Sequence, residues 1–135
     1  MSDRTTVLKE FSAQATTFIG EAISMEGRRN PIFSQEITAV SAGAGNHVVE
    51  IQTTNVDSTL HAIAAYWERI HVFAAINNAV VPPTYISEST LNNGESISGA
   101  IRTIPGRFIR IVSTLTGTFN FTGKVRMAYD VAVTE

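Results

Sequence analysis

Cysteine is absent from this chain of 135 residues, which excludes disulfides, thiolate zinc sites and cysteine nucleophiles. Charge is scarce as well, because Asp, Glu, Lys and Arg make up 16% of the residues, against about 25% in an average globular domain. Disordered chains combine few apolar residues with much charge, whereas 44% of this chain is hydrophobic. The composition therefore predicts a folded domain with a substantial core.

Long apolar runs are also missing from the sequence. No stretch approaches the roughly 20 residues that a membrane-spanning helix needs, and residues 1–6 do not lead into the apolar segment of a signal peptide. The net charge of −2 lacks the basic excess that marks many nucleic-acid-binding domains. We therefore expect a single domain over residues 1–135, without a signal peptide and without membrane or general nucleic-acid binding.

The C-terminal third carries the clearest secondary-structure signal. Apolar and polar residues alternate over residues 121–133, which is the pattern of a strand with one buried face. Residues 107–115 show a similar alternation, and the link Thr116-Gly117-Thr118 has the composition of a turn. These two segments are predicted to form a C-terminal hairpin.

Several other segments also have the composition of strands. A second hairpin is predicted over residues 35–54, because the Gly-rich link 43–46 tolerates positive φ angles. A short helix or turn is predicted near 58–65, followed by a strand over 67–75. Further strands are predicted at residues 6–12, 17–25 and 96–104, with a turn at 92–94. About eight short strands indicate an all-β fold, a single-domain antiparallel β-sandwich or jelly roll.

Residue types that carry catalytic or metal chemistry are present without a diagnostic arrangement. His47, His61 and His71 show neither the i, i+4 spacing of a helical metal pair nor an HxH pair. The nucleophile-elbow pattern GxSxG is absent, and the Gly-rich link at 43–46 lacks the rest of a phosphate-binding fingerprint. The sequence therefore predicts no enzyme, and neither a cofactor nor a metal.

Charge is distributed unevenly along the chain. Residues 1–100 hold ten acidic and five basic side chains, a balance of −5, and residues 101–135 hold five basic and two acidic ones, a balance of +3. Arginine and aromatic residues are favoured at the centres of protein interfaces. On that ground a contact surface is predicted on the outward faces of the last two strands. Its residues are Phe108, Arg110, Val112, Lys124 and Arg126. The competing interpretation is a face that the second sheet covers or that water solvates.

Aromatic residues gather in the middle of the sequence. Tyr66, Trp67 and Tyr85 are candidates for stacking on a sugar ring, as aromatic residues on β-sandwich loops can do. The competing interpretation places them in the core, where large aromatic side chains are commonly found.

Two segments resemble small β-sandwich proteins of tailed-phage particles. One is residues 37–52, and the other is residues 105–112 followed by 115–118. The resemblance implies a non-enzymatic virion structural protein: a capsid decoration, or cement, protein, or else a tail or adaptor component. The implied partners are the major capsid or tail protein and further copies of this chain. We expect a symmetric homo-oligomer, a dimer or trimer, located in the phage particle.

Residues 107–111 also resemble a strand of galactose-binding, discoidin-like jelly rolls. That resemblance implies the alternative of a carbohydrate-binding module, for which Tyr66, Trp67 and Tyr85 are the candidate glycan contacts. Outside a virion, the absence of a signal peptide leads us to expect a cytoplasmic protein.

Overall fold

The computed structural model of the protein describes residues 4–88 and 106–131, the side chains of residues 86–88 excepted. Within these ranges the chain forms nine strands and two 3₁₀ turns, and no α-helix. The strands are β1 (Arg4–Gln14), β2 (Phe18–Ile19), β3 (Ile23–Ser24), β4 (Arg28–Val40), β5 (Gly45–Thr54), β6 (Glu68–Val72), β7 (Thr84–Glu88), β8 (Phe108–Gly117) and β9 (Phe121–Val131).

These strands form two antiparallel sheets that pack against each other. Sheet 1 has the order β1-β9-β4-β7, and sheet 2 has the order β2-β8-β5-β6, with β3 pairing beside β2 on the same edge of β8. Apart from the steps β2–β3 and β5–β6, every connection between consecutive strands crosses to the other sheet. This is the topology of a jelly roll, with β2 and β3 sharing one strand position. The predicted all-β sandwich is confirmed.

The core lies between the two sheets, because alternate side chains of each strand point inward. On β9 the inward side chains of Phe121, Val125 and Met127 are at most 1% exposed, and on β8 those of Ile109 and Ile111 are at most 2% exposed. The alternation seen in the sequence therefore identifies the buried face of both strands correctly.

Both predicted hairpins are wrong in their pairing, although their strands are present. The consecutive strands β8 and β9 lie in different sheets, and so do β4 and β5. Instead, β4 pairs with β9 and β5 pairs with β8. Residues 41–44 and 118–120 are therefore corners that carry the chain from one sheet to the other. Turn-forming residues specify a tight reversal, and a hairpin and a corner both need one.

The two corners lie side by side and are bonded to each other. The Thr118 amide donates to the Ala44 carbonyl (2.9 Å), and the Ser41 amide donates to the Asn120 carbonyl (3.0 Å). The Asn120 amide donates in turn to the Ser41 hydroxyl at 3.0 Å. The continuous stretch β4–β5 pairs along its length with the continuous stretch β8–β9, and both fold over together at these corners. Within each stretch, one strand therefore lies in sheet 1 and the other in sheet 2.

Gly45 and Gly117 stand opposite each other where β5 and β8 leave the corners. Their φ angles are +97° and +85°, in the left-handed region that favours glycine. A Cβ atom on Gly45 would overlap the carbonyl oxygen of Thr116. The two strands can approach this closely only because neither residue carries a side chain.

Other segments differ from their predictions in length or type. The strand predicted at 17–25 is interrupted and becomes β2 and β3, and the strand predicted at 67–75 shrinks to β6. Residues 58–65, predicted as a short helix or turn, contain the 3₁₀ turn Ser58–Leu60 and part of a second one, Ala64–Tyr66. The strand β7 was not predicted, because its five residues are too few to show a clear alternation.

The strand order also determines which strands lie at sheet edges. The long C-terminal strand β9 lies between β1 and β4, so it is not the exposed edge that its regular pattern would make hazardous. The edge strand predicted at 6–12 is confirmed as β1, which carries two register shifts against β9. The strand predicted at 96–104 and the turn at 92–94 fall outside the described residues.

The corner geometry predicts a large cost for a side chain at Gly45. Gly45→Ala is expected to lower the free energy of unfolding by about 2 kcal/mol or more, because a strained φ angle and a backbone overlap act together. Gly27→Ala is the matched control, since Gly27 has a φ of +76° but no atom within 4 Å of an added Cβ. Urea unfolding of both variants measures the difference. Equal losses would contradict the close approach at the corner.

Candidate functional site: an apolar loop beside a row of arginines

The connection between β5 and β6 exposes a run of apolar side chains. Residues 60–66, which we call the apolar loop, contain no Asp, Glu, Lys or Arg. Leu60, Ile63 and Tyr66 are 36%, 45% and 46% exposed, and the three alanines of the loop are exposed as well. Contiguous exposed apolar surface on a folded domain marks an interaction site.

His61 fixes the first half of the apolar loop from the inside. Its Nε2–H donates to the carbonyl of Val56 at 3.0 Å, because a carbonyl can only accept. Its ring makes T-shaped contacts with the rings of Phe108 and Trp67, with centroid distances of 4.5 and 5.5 Å. The histidine therefore packs the loop against the start of β8.

Trp67 fixes the second half of the loop. Its indole N–H donates to the carbonyl of His61 (2.8 Å), and the hydroxyl of Thr54 donates to the carbonyl of Tyr66 (2.7 Å). Trp67 itself is only 8% exposed, although its neighbour Tyr66 reaches into solvent. The apolar side chains of the loop are thus presented on a backbone held by buried contacts.

A row of polar side chains crosses the outer face of sheet 2 next to Trp67. Gln52 on β5 lies in register with Arg69 on β6 and with Arg110 on β8. We call these three residues the arginine row. The guanidinium carbon of Arg110 lies 4.4 Å from the centroid of the Trp67 ring, which is a cation–π contact. The row therefore joins the apolar loop through the tryptophan.

Hydrogen bonds connect the row through Glu50. Arg69 Nε–H and the Gln52 side-chain amide both donate to Glu50 Oε2, at 3.1 and 3.0 Å. Arg110 Nε–H donates to Gln52 Oε1 at 2.7 Å. Burial lowers the pKa of the Arg110 guanidinium, and the negative charge of Glu50 opposes that shift. Within the described residues, the hydrogen bonds of both guanidinium groups are made through Nε.

The five predicted interface residues do not form one surface. Phe108, Arg110 and Val112 lie on sheet 2, and the latter two are 8% and 6% exposed. Lys124 and Arg126 lie on sheet 1, on the opposite side of the sandwich. The separation follows from the corner at 118–120, which the hairpin prediction did not include.

The two basic residues of sheet 1 already have acidic neighbours. Lys124 Nζ lies 3.9 Å from Glu10 on β1, and Arg126 lies 3.2 Å from Glu36 on β4. The basic excess of residues 101–135 is therefore partly neutralised by acidic residues from the first half of the chain. Exposed pairs of this kind contribute little to stability, about 0–1 kcal/mol each.

The three candidate sugar-stacking residues are dispersed. Tyr85 is 59% exposed on β7 of sheet 1, whereas Tyr66 and Trp67 belong to the loop that borders sheet 2. One face of the Trp67 ring is occupied by Arg110. The described residues bring no two of these rings together as an open stacking platform.

The sequence did not single out the apolar loop or Arg69 and Gln52. Its spacing of apolar residues matched the buried face of a helix, whereas the structure exposes Leu60 and Ile63. The available signal was the run of seven residues without charge directly before Trp67. Arg69 and Gln52 join Arg110 in one row only through strand register, which no local sequence pattern fixes.

Among the residues that the structure describes, no group of three or more His, Asp or Glu side chains could hold a metal ion. None of the helical segments within residues 4–88 and 106–131 is long and apolar enough to cross a membrane. No family model matches the chain, and no curated protein or solved structure shows significant similarity to it.

His47 is a buried histidine whose ring makes two hydrogen bonds. It is 0% exposed on the inner face of β5. Its Nε2–H donates to the carbonyl of Gln14 at 2.7 Å, so its Nδ1 accepts from the Ser113 hydroxyl at 2.9 Å in the neutral ring. Burial lowers the pKa of His47 below its usual 6.5, and the backbone hydrogen bond to Gln14 opposes the shift. The imidazole acts as a structural clamp between β5, β8 and the end of β1.

This clamp makes the stability of the protein depend on pH. The unfolded chain takes up a proton on His47 near pH 6.5, whereas the folded chain resists it to lower pH. The free energy of unfolding is therefore expected to be constant above that pH and to fall as the pH drops below it.

Urea unfolding at several pH values between about 7.5 and 5 measures the effect, which lies in the range where histidines titrate. His47→Gln is expected to be less stable and to show a flatter pH dependence. A His47 imidazole that titrates above 6.5 by NMR, or a variant as pH-dependent as the native protein, would refute this role.

Proposed function

We propose that this protein is a non-enzymatic structural protein of a tailed-phage particle, a capsid decoration protein that binds neighbouring coat subunits as a symmetric oligomer. Jelly rolls occur in viral capsid proteins, and also in lectins and cupins, so the fold supports this class without selecting it. The observation that carries the proposal is the apolar loop, which is exposed and yet held rigidly in place.

The chemistry of the loop suits docking onto another protein. Leu60, Ile63 and Tyr66 project from one short segment, and complete burial of a large apolar side chain is worth about 1.5–3 kcal/mol. Because His61 and Trp67 already fix the backbone, little conformational entropy remains to be lost when a partner covers the loop. A surface of this kind stabilises an assembly by burial and needs no reacting group.

The surroundings of the loop have the composition of an interface centre. Trp67 and Arg110 border it, and tryptophan, tyrosine and arginine are the residues that most often dominate binding energy. The low charge of the chain favours association further, since few like charges oppose the approach of a second subunit.

The loop predicts a specific loss of self-association on substitution. Size-exclusion chromatography with light scattering is expected to show a dimer or trimer for the native protein. Ile63→Asp combined with Tyr66→Asp is expected to weaken association at least about tenfold, because two apolar contacts are replaced by charges that must be desolvated. Val81→Asp is the matched control, since Val81 is 80% exposed on the β6–β7 connection. A native monomer would contradict self-association through the loop, and equal effects of both variants would contradict a docking role for the loop.

Placement in a virion is tested by mass spectrometry of purified phage particles from the host that encodes the chain. A fixed ratio of this chain to the major coat protein is the expected result, and separation of heads from tails distinguishes a decoration protein from a tail or adaptor component. Absence of the chain from particles would refute the virion assignment.

A further inference from the structure

In each arginine of the arginine row, only one guanidinium nitrogen makes a hydrogen bond to the described residues. Each guanidinium is engaged through Nε, Arg69 with Glu50 and Arg110 with Gln52. No hydrogen bond from the terminal Nη groups of either arginine reaches any residue in the described ranges 4–88 and 106–131. Four donor-bearing nitrogens are thus oriented by the protein without a hydrogen bond to the described residues.

Most of the Arg110 side chain is buried, although its terminal nitrogens are not. The residue is 8% exposed, and one face of its guanidinium lies on the Trp67 ring. Its Nη atoms have no hydrogen-bond partner among the described residues and are not fully buried, so an acceptor can approach them from the surface. Burial lowers the pKa of Arg110, and the negative charge of Glu50 opposes that shift.

Strand register sets the spacing of the two guanidinium groups. Arg69 and Arg110 are both in register with Gln52 and flank it on either side, so their backbones lie two strand spacings, about 10 Å, apart. Long arginine side chains on one face can converge over that distance. Because Glu50 and Gln52 fix the Nε atoms of Arg69 and Arg110, the two guanidinium groups lose little conformational entropy when they bind an acceptor.

We infer that the arginine row is a receptor for a carboxylate group, supplied by an aspartate or glutamate side chain of a protein partner. The planar fork of a guanidinium matches a carboxylate in bidentate geometry. The charges of Arg69, Arg110 and Glu50 leave one excess positive charge, which suits a monoanion better than a phosphate dianion. The inference rests on the proposed function for its partner, because the receptor borders the apolar loop.

The receptor is tested by NMR through the Nε–Hε signals of Arg69 and Arg110. The probe is the α-amide of N-acetylglutamate, titrated at constant ionic strength, and its glutamine counterpart is the neutral control. Saturable shifts of both signals are expected with the glutamate probe, at least about tenfold tighter than with the glutamine probe, as charge-assisted bonds require.

Substitutions identify the groups responsible. Arg110→Gln is expected to abolish the response of Arg69, and Arg110→Lys is expected to weaken binding about fivefold or more, because the charge is kept but the fork is lost. Arg107→Gln is the matched control, since it removes a positive charge from an exposed pair with Asp57 and leaves the row intact. The affinity of the Arg107→Gln variant for the glutamate probe is expected to stay within about twofold of that of the native protein. Arg69→Gln provides a second test if Arg110 variants fail to fold.

The outcomes separate the receptor from the proposed function. Absence of any saturable shift, or an unchanged response in Arg110→Lys and Arg69→Gln, would overturn the receptor. Tighter binding of inorganic phosphate at the same signals would overturn its assignment to carboxylates. A saturable response in a protein that remains monomeric and is absent from particles would support the receptor while refuting the virion proposal. A protein that oligomerises and is present in particles, but shows no saturable response to the probe, would refute the receptor alone.

Discussion

The paired corners at residues 41–44 and 118–120 are the constraint on which the rest of the structure depends. They bind each other through main-chain hydrogen bonds between Thr118 and Ala44 and between Ser41 and Asn120. Each corner by itself is only a short turn, but together they carry both paired stretches, β4–β5 and β8–β9, from one sheet to the other. That crossing creates two sheets with a shared core and fixes which outer face each later strand presents. Glycine at positions 45 and 117 allows the strands to meet there at close range.

The division of surface chemistry follows from this folding. Arg110 and Lys124 are separated by only 14 positions in sequence, yet one belongs to the tryptophan-capped row of sheet 2 and the other to an ion pair on sheet 1. On sheet 1, Lys124 and Arg126 of β9 are paired with acidic residues of β1 and β4. On sheet 2, Arg69 and Arg110 bond through Nε and lie beside the apolar loop. The two faces therefore have different capacities for binding.

The sequence predicts the strands of this fold better than their arrangement. The alternation over residues 107–115 and 121–133 correctly marks the inward faces, because burial of one strand face is a local property. Pairing of β8 with β5 depends on contacts some 60 positions apart, and no local pattern distinguishes a corner from a hairpin. For the same reason, Arg110 was found as a candidate contact, but its partners Gln52 and Arg69 were not. The exposure of Leu60 and Ile63 is not predictable from their helical spacing, because that spacing does not show whether a face has anything to pack against.

The absence of native cysteine allows the corner to be tested directly with a pair of introduced cysteines. A hairpin closed by residues 118–120 would set Thr114 and Lys124 opposite each other, with backbones about 5 Å apart. In the sandwich, both point outward from opposite sheets whose backbones alone lie about 10 Å apart. Spin labels at Thr114→Cys and Lys124→Cys are therefore expected to lie more than about 20 Å apart by double electron–electron resonance, with no disulfide forming on oxidation. Strong dipolar broadening at short range, or a disulfide between the two positions, would contradict the account.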